Sequence, residues 1–380
     1  MSNDPFLSRP SLLRINLSAL TENFRLIRGV AGGAKVMPVV KSNAYGHGLV
    51  ECSQELERAG ADFLGVALLE EGIKLRLAGV KTPILVLGGI FTDQIHHFLE
   101  HDLDLLASSV FKLRAIEEQA AAHKKRARVH LEIDTGMERI GVHYYNSATL
   151  IEAALATKHC DIVGVSSHFS EQEREELGFT RLQLERFLES VAYFEKVSAP
   201  TPIRHIAASG AILQLAESHL DLVRPGLISY GVSPAPHLKG RVPLKPVMSL
   251  HSKVAYFKVV KAGTGVSYGH LWVAPQDTRV VTIPLGYGDG YLRRLSNQGK
   301  VLIGGKRHSI VGAVCMDQMM VDIGPSGEAY NGDDVVLIGR QGDEEISLEE
   351  LSELSTGNAR EFMVSTNVRL PRVFHRDGAT

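Results

Sequence analysis

Basic side chains follow short apolar runs at three places in this sequence. Lys41 follows VMPVV, Arg139 lies in DTGMER after VHLEI, and His168 follows IVGVSS. A lysine amine can form a Schiff base with an aldehyde, an arginine can bind a carboxylate, and a histidine can exchange protons near neutral pH. Each residue alone is more often a solvated lysine, a salt-bridge partner or a structural histidine. Only their combination indicates a site.

Small and hydroxyl-bearing residues lie at the ends of two later runs. Ser209 ends RHIAAS and precedes Gly210, whereas Arg224 and Gly226 lie within LVRPGLISYG. In barrels of alternating strands and helices, loops of this kind bind phosphate through backbone N–H groups and small side chains. A phosphate site opposite a reactive lysine predicts pyridoxal phosphate, whose aldehyde would meet Lys41 and whose ring nitrogen would meet Arg224. No metal is predicted.

The elements that position these residues alternate regularly between residues 36 and 231. Eight short apolar runs are each separated from the next by a polar loop and a longer amphipathic stretch. The runs are VMPVV (36–40), FLGVA (63–67), ILVLG (84–88), DLLAS (104–108), VHLEI (129–133), IVGVSS (162–167), RHIAAS (204–209) and LVRPGLISYG (222–231). They predict an α/β fold, a (β/α)8 TIM-type barrel over residues 11–242, with chemistry at the carboxyl ends of its strands. Pro38 predicts an irregular first strand, and Ser18 is predicted to cap the first helix.

After residue 243 the pattern changes to strands joined by turns. Runs such as RVVTIPLGY, MMVDIG and DDVVLIG are separated by turn signals, and a single helix, SLEELSEL, is predicted after Ser347. We therefore expect a mainly β second domain over residues 243–380. Residues 1–10 are expected to pack on it.

Composition argues against several classes of protein. The 380 residues are 44% hydrophobic and 22% charged, with a formal net charge of −2 and no basic stripe, so nucleic-acid binding is not predicted. No segment has the length of a membrane helix, and the first residues lack the pattern of a signal peptide. Cys52, Cys160 and Cys315 are too few and too dispersed for a disulfide framework. We expect a cytoplasmic protein without membrane association.

Motifs along almost the whole chain resemble those of alanine racemases of the pyridoxal-phosphate barrel type. The motifs, in the family's order, are VVKSNAYGHG, DTGMERIGV, SHF, VRPGLISYG, VSYG, PLGYGDG, VCMDQ and VRLPRVF. The resemblance implies that L-alanine and D-alanine are interconverted with pyridoxal 5'-phosphate, which would supply D-alanine as a peptidoglycan precursor. It also implies a homodimer in which the second domain of one subunit completes the active site of the other.

The resemblance also implies roles for residues at matching positions. Lys41 and Tyr268 would be the catalytic bases on opposite faces of the substrate. Cofactor binding would involve Lys41, Tyr45, His168, Ser209, Arg224, Gly226 and Leu227. Substrate binding would involve Arg139, Tyr287 and Met316, with Glu132, His205 and Asp317 in support.

The chemistry of racemisation favours two bases independently, because a proton leaves one face of Cα and another arrives on the opposite face. A tyrosine is a poor base at neutral pH, so we expect Tyr268 to need assistance through a hydrogen-bonded chain from His168 to Arg224. An arginine opposite the ring nitrogen should disfavour ring protonation, because two positive charges would be adjacent.

Three positions depart from the family pattern. Glu132 stands where many members have a lysine that becomes carboxylated, Ala208 where many have asparagine, and Val368 where several have tyrosine. Glu132 would supply a permanent carboxylate, which we expect to orient Arg139.

Other functions remain compatible with parts of the pattern. The chain could racemise serine or a broader set of amino acids, because the sequence does not reveal pocket volume. A decarboxylase on the same scaffold would have a glutamate where Arg224 stands, and a carrier of pyridoxal phosphate without turnover would lack the second domain with Tyr268. Incubation with L-alanine distinguishes these functions by the product: D-alanine, carbon dioxide or none.

Overall fold

The chain forms two compact units in the computed structural model, which describes residues 9–355 and 357–378. The barrel unit contains Leu20–Ala44 and Leu49–Lys245. The β unit contains Tyr45–Gly48, the chain from Pro246 onward and the segment that ends at Ala19. Residues 11–19, predicted with the barrel, thus lie in the β unit, because a strand at 12–16 pairs within its large sheet. Residues 1–8, whose packing was predicted, lie outside the described residues.

The barrel unit is a closed ring of eight parallel strands, each overlapping one of the predicted runs. The strands, numbered one to eight below, are Lys35–Val36, Leu64–Val66, Ile84–Val86, Leu105–Ala107, Ala127–Asp134, Cys160–Ser166, Ile203–His205 and Leu222–Val223. Strand eight pairs with strand one, and single bridges join the neighbours that lack a longer ladder. A further short strand, Val142–His143, pairs in parallel with the end of strand five. The predicted (β/α)8 barrel is confirmed.

Strand one is short because it ends before Pro38, which has no N–H to donate to a ladder. Pairing resumes at Val39, which bridges Gly65 on strand two. On the other side, Val39 N donates to Pro225 O at 2.8 Å. The predicted irregularity therefore occurs without opening the ring.

Helices connect the strands, and their apolar faces are buried. The helices up to residue 245 are Leu17–Val30, Leu49–Arg58, Leu69–Leu77, Ile95–Glu100, Val110–Ala122, Ser147–Leu155, Gly178–Lys196 and Ser209–Gln214. In the first, Leu20, Phe24 and Ile27 are fully buried. The predicted cap at Ser18 is wrong, because the helix already begins at Leu17 and Asn16 Oδ1 accepts a hydrogen bond from Ala19 N at 3.0 Å.

The β unit is built on one sheet of ten strands. Along the sheet they are Tyr256–Val260, Thr278–Ile283, Met319–Gly324, Lys306–Val311, Lys300–Ile303, Asp334–Gln341, Met248–Lys253, Leu12–Asn16 and Arg372–His375, with Glu344–Ile346 beside Asp334–Gln341. A separate hairpin pairs Gly265–Val266 with Trp272–Val273. The mainly β character of this part of the chain was predicted.

Two helices lie in the described part of the β unit. Leu348–Glu353 is the predicted one, and Ser347 caps it by accepting a hydrogen bond from Glu350 N at 3.1 Å. Ala359–Ser365 was not predicted, so the expectation of a single helix is wrong. Across all described residues, no helix has both the length and the apolar character needed to span a bilayer.

Candidate active site

Lys41 is presented by a left-handed backbone turn that contains no glycine. Residues 42–45 have φ angles between 51° and 57°, a conformation that costs L-amino acids about 1 to 2 kcal/mol per residue. Asn43 helps to hold the turn, because its Oδ1 accepts a hydrogen bond from Leu49 N at 2.9 Å. Strain of this kind persists only where surrounding contacts impose it, and it is common in active sites. The turn fixes the direction in which Lys41 leaves the end of strand one.

Glu71 is the principal side chain that braces this turn, and sequence analysis missed it. One carboxylate oxygen accepts from Ser42 N at 2.6 Å. The other accepts from Ala67 N at 2.8 Å and Leu68 N at 3.2 Å. One carboxylate thus joins the turn after strand one to the loop after strand two. It holds the backbone next to Lys41.

Strands seven and eight bring the predicted phosphate residues together. Ala208 bridges Arg224 in parallel pairing, and Ser209 Oγ accepts a hydrogen bond from Gly226 N at 3.1 Å. Ser209 is buried, as is Leu227, the first residue of a short 3-10 turn. Because strand one is the other neighbour of strand eight, these loops lie at the same end of the ring as Lys41.

These residues fit pyridoxal phosphate. They provide a primary amine, a hydroxyl and backbone N–H groups at adjacent strand ends, which are the donor types that the aldehyde and phosphate require. The backbone at Gly210 also allows only glycine: a Cβ added there would lie 2.3 Å from Gln172 O. Lys41 would hold the aldehyde carbon, and Ser209, Gly226 and Leu227 would hold the phosphate.

Arg224 is a buried cation at the centre of a hydrogen-bond network. Its Nη1 donates to His205 Nδ1 at 2.7 Å, and its Nη2 donates to Ser167 O at 2.6 Å and His168 Nδ1 at 3.0 Å. Burial lowers the pKa of Arg224 from 12.5 to about 10, against the opposing effect of Glu132. The side chain therefore remains cationic at neutral pH, with its guanidinium plane fixed from two sides.

The network continues through two buried histidines to Asp104, a partner that sequence analysis missed. His205 Nε2 lies 2.9 Å from His130 Nδ1, and His130 Nε2 lies 3.3 Å from Asp104 Oδ2. Asp104 also accepts from Arg128 Nε at 2.7 Å. Arginine can only donate and a carboxylate can only accept, so both histidines must carry their proton on Nε2. Burial first, then Arg224 and His130, hold the pKa of His205 well below 6.5, which keeps it neutral.

Arg139 lies on a loop that Asp134 organises. Asp134 Oδ1 accepts from Gly136 N at 2.8 Å and Met137 N at 2.9 Å, and its Oδ2 accepts from Arg139 N at 3.2 Å. Asp134 ends strand five and is buried. Its role as an acceptor for successive amides was not predicted. The loop thus has a fixed backbone, whereas the side chain of Arg139 is exposed.

Glu132 is buried on strand five and receives a short hydrogen bond from the hydroxyl of Ser166. Burial raises its pKa, while Arg224, the Ser166 hydrogen bond and Arg139 lower it. Arg139 therefore interacts with Glu132 through charge, and the hydrogen bond of this carboxylate is with Ser166. That Glu132 orients Arg139 stays a prediction.

Tyr268 lies in the β unit, in the connection of the hairpin Gly265–Val266 and Trp272–Val273. The base of the hairpin is anchored, because Val266 belongs to a buried apolar cluster against which Trp272 packs. Ser267 has φ 65° and donates to Ala313 O at 2.7 Å. Tyr268 itself is 71% exposed. The loop is held by its neighbours, and the phenol is presented on the surface.

Tyr287 and Met316 are adjacent to each other in the β unit. Tyr287 N donates to Cys315 O at 3.0 Å, and Gly288 N donates to Met316 O at 2.8 Å. Ser267 Oγ also lies 3.5 Å from Cys315 Sγ, so the Tyr268 loop meets the same turn. The fold therefore brings these three predicted residues together on one surface.

Asp317, predicted as a supporting residue, follows that turn. Its carboxylate accepts from Arg369 Nη2 at 2.6 Å, and Arg369 Nε lies 3.3 Å from the buried carboxylate of Asp289. Arg9 Nη2 contacts Asp289 at 2.7 Å. Asp317 is thus tied to the body of the β unit through an arginine.

The predicted site residues are divided between the two units. Those of the barrel unit are Lys41, Glu132, Arg139, His168, His205, Ser209, Arg224, Gly226 and Leu227. Those of the β unit are Tyr45, Tyr268, Tyr287, Met316 and Asp317. Tyr45 belongs there because the segment 45–48 is held by the C-terminal part of the chain: Arg372 Nε donates to Gly46 O at 2.7 Å.

Family profiles match both parts of the chain. The profile of the alanine racemase N-terminal domain matches residues 15–234, and that of the alanine racemase C-terminal domain matches residues 247–374. The chain belongs to the alanine racemase family. It is a pyridoxal-phosphate-dependent isomerase, and its reaction is the interconversion of L-alanine and D-alanine.

Individual relatives match over nearly their full length. The alanine racemase of Carboxydothermus hydrogenoformans is 41% identical over 367 residues, covering 96% of this chain and 100% of the relative. That of Desulforamulus reducens is 40% identical and covers 97% and 100%. A crystal structure of alanine racemase from Streptomyces lavendulae superposes with a TM-score of 0.93 at 37% identity, covering 97% of each chain. Both the fold and the sequence are therefore similar throughout.

Proposed function

We propose that Lys41 and Tyr268 are the two bases that exchange the α-proton of alanine on opposite faces of Cα. Pyridoxal phosphate, when bound, serves as the electron sink for the carbanion that forms when the proton leaves. Lys41 moves the proton of the D enantiomer and Tyr268 that of the L enantiomer. The single observation that carries this proposal is the braced left-handed turn. It presents Lys41 at the same end of the barrel as Ser209 and Gly226.

Arg224 tunes the cofactor ring in this proposal. Its guanidinium is held by His205, Ser167 and His168, so it cannot turn away from the ring nitrogen without breaking buried hydrogen bonds. A cation opposite that nitrogen would disfavour ring protonation, and an unprotonated ring would be a weaker electron sink. Arg224 would thereby favour simple proton exchange over side reactions.

Arg139, Met316 and Tyr287 select the substrate. Arg139 binds the carboxylate of alanine, the backbone of Met316 meets the same carboxylate, and Tyr287 lines the entrance. Glu132 is the anion that keeps Arg139 oriented and offsets the cost of its charge. The burial of Glu132 on strand five, which leads into the loop of Arg139, supports this assignment.

The functional assembly in this proposal is a homodimer with shared active sites. The observation that supports it is the exposure of the catalytic surface of the β unit: Tyr268 is 71%, Met316 51% and Tyr287 42% exposed. Large apolar and aromatic side chains that gather on one surface are typical of interfaces. We place the barrel unit of one subunit and the β unit of the other at each site.

The cellular role that follows is the supply of D-alanine for peptidoglycan precursors in the cytoplasm. The dispersed cysteines support a reducing compartment: Cys52, Cys160 and Cys315 form no disulfide among the described residues. The enzyme would then act where amino acids are available as free substrates.

Solvent deuterium exchange, followed separately from each enantiomer, tests the division between the two bases. Tyr268→Phe should abolish incorporation that starts from L-alanine and retain incorporation that starts from D-alanine, because only Lys41 then has a basic group. Tyr256→Phe, at a residue of the β unit that is 59% exposed, is the matched control and should exchange both enantiomers normally. Equal loss from both enantiomers in Tyr268→Phe would contradict the proposal.

A further inference from the structure

A buried glutamine on the loop after strand six contacts the start of the helix Ser209–Gln214. Gln172 is 7% exposed. Its Oε1 accepts from Ala208 N at 3.0 Å and from Ala211 N at 3.4 Å, and its backbone oxygen accepts from Gln214 Nε2 at 2.9 Å. One residue therefore contacts both ends of the helix that begins at Ser209.

The local sequence of that helix lacks a cap of its own. The first N–H groups of a helix have no partner within it, and an Ser, Thr, Asp or Asn side chain at the preceding position usually accepts from them. Here that position is Ala208, which has the extended conformation of a cap, φ −114° and ψ −167°, but no acceptor on its side chain. Ala211, the third residue of the helix, donates to Gln172 instead.

The position of this helix start determines the position of the phosphate residues. Ser209 Oγ accepts from Gly226 N, so a shift of Ser209 also displaces the loop after strand eight. At Gly210 the backbone approaches Gln172 O so closely that an added Cβ would lie 2.3 Å from it. Gln172 thus contacts residues 208–211 through both its side chain and its backbone.

We propose that Gln172 is a positioning residue for the phosphate end of the cofactor. It lies on a different loop and caps a helix whose own cap position is occupied by an alanine. It keeps Ser209 and Gly226 in place before the cofactor arrives, so less ordering is required on binding. The inference rests on the proposed assignment of Ser209 and Gly226 to the phosphate.

The test compares pyridoxal phosphate with pyridoxal, which has the aldehyde but no phosphate. Full-length protein freed of cofactor is titrated with each compound, and binding is followed by absorbance. Gln172→Met should weaken binding of pyridoxal phosphate about tenfold, the effect of losing about one net hydrogen bond to a neutral group, and leave binding of pyridoxal unchanged. Gln54→Met is the matched control, because Gln54 donates to Ala78 O and to none of residues 208–211.

Rescue distinguishes a cap from a general packing role. Ala208→Ser restores an acceptor at the cap position, so Gln172→Met combined with Ala208→Ser should recover most of the lost affinity for pyridoxal phosphate. Gln172→Asn keeps the amide but shortens the side chain, and it should show the same defect if Gln172→Met does not fold.

Four results overturn the inference, and they lead to three different conclusions. Unchanged affinity for pyridoxal phosphate in Gln172→Met, or equal loss for pyridoxal, shows that Gln172 does not act on the phosphate end. Absence of rescue by Ala208→Ser shows that it is not a cap. If the unmodified protein binds pyridoxal as tightly as pyridoxal phosphate, the assignment of Ser209 and Gly226 fails first, and the inference fails with it.

Discussion

The two predicted bases lie in opposite kinds of surroundings. Beyond Lys41, the barrel unit contains a continuous chain of buried polar groups, in which Arg224 is 5% exposed and His205 fully buried. Tyr268, in contrast, lies on the surface of the β unit and is 71% exposed. Groups that act electrostatically need fixed positions before the reaction. The barrel unit provides such fixed positions through buried hydrogen bonds, whereas the phenol of Tyr268 is presented on a surface.

The largest effect is expected at the base that the barrel itself presents. Lys41→Ala should lower turnover by about 10^4-fold or more, because it removes both the attachment of the cofactor and one base. Borohydride reduction followed by mass spectrometry should show covalently trapped cofactor at residue 41 of the unmodified protein and none in the variant. Trapping that persists in Lys41→Ala would show that another lysine holds the cofactor.

The second largest effect is expected in the buried hydrogen-bond chain that connects Arg224 to Asp104. Asp104→Leu leaves His130 Nε2–H without an acceptor, which should destabilise the fold by about 1 to 3 kcal/mol. It should also lower kcat about tenfold, because the polarity that orients Arg224 is lost. Nitrogen NMR of the histidines should show a single Nε2–H tautomer of His205 in the unmodified protein and a mixture in the variant.

Arg128→Met is the control for that experiment. It removes the other partner of Asp104 but leaves the contact between Asp104 and His130 in place. Its kcat and its His205 tautomer should be unchanged. A kcat in Asp104→Leu equal to that of Arg128→Met would show that the chain is only structural.

A smaller effect is expected at Glu132. Its carboxylate belongs to its own side chain, whereas a carboxylated lysine at this position would depend on dissolved carbon dioxide. Glu132→Gln should raise KM for alanine several-fold, about 3 to 10 times, and lower kcat less, since ground state and transition state share carboxylate binding. Activity of the unmodified protein should not respond to bicarbonate. Glu138→Gln, at an exposed residue that pairs with His143, is the matched control. Activation by bicarbonate would contradict this account.

The smallest expected effect is a loss of stability at acid pH, to which a buried histidine of each unit contributes. Burial, followed by Arg14, lowers the pKa of His251 in the β unit from 6.5 to about 4, and the pKa of His205 in the barrel is also depressed. As pH falls below 6.5, the unfolded chain takes up protons that the folded chain does not, so stability is lost between pH 6.5 and 4. His251→Gln should make the melting temperature less dependent on pH in this range. An unchanged dependence would remove His251 from the explanation.

The sequence was sufficient to predict the barrel and to place Lys41 after its first strand, because both depend on local patterns. Eight apolar runs of strand length are separated by helical stretches, and Lys41 is adjacent to the first of them in the chain. The left-handed turn at 42–45 could not be predicted in the same way, since positive φ usually indicates glycine and the residues there are SNAY. Glu71, which accepts a hydrogen bond from Ser42 N in this turn, lies elsewhere along the chain.

The supporting residues escaped prediction for the same physical reason. Asp104, His130 and Gln172 meet their partners through closure of the barrel, at separations of up to 75 residues between His130 and His205. No local spacing carries that information. The strand Arg372–His375 was missed likewise, because its partner Leu12–Asn16 lies at the other end of the chain. One signal was available in the sequence. A polar residue within an apolar barrel strand, such as His130 in VHLEI, requires a buried hydrogen-bond partner.

Complementation between inactive subunits tests the shared site most directly. Lys41→Ala and Tyr268→Phe chains, each inactive alone, are mixed and allowed to exchange, which is verified with differently tagged subunits. If each site combines the barrel unit of one chain with the β unit of its partner, half of the randomly formed dimers contain one intact site, and activity should return to about a quarter of the normal value per chain. No return of activity after demonstrated exchange would show that both bases of a site come from the same chain.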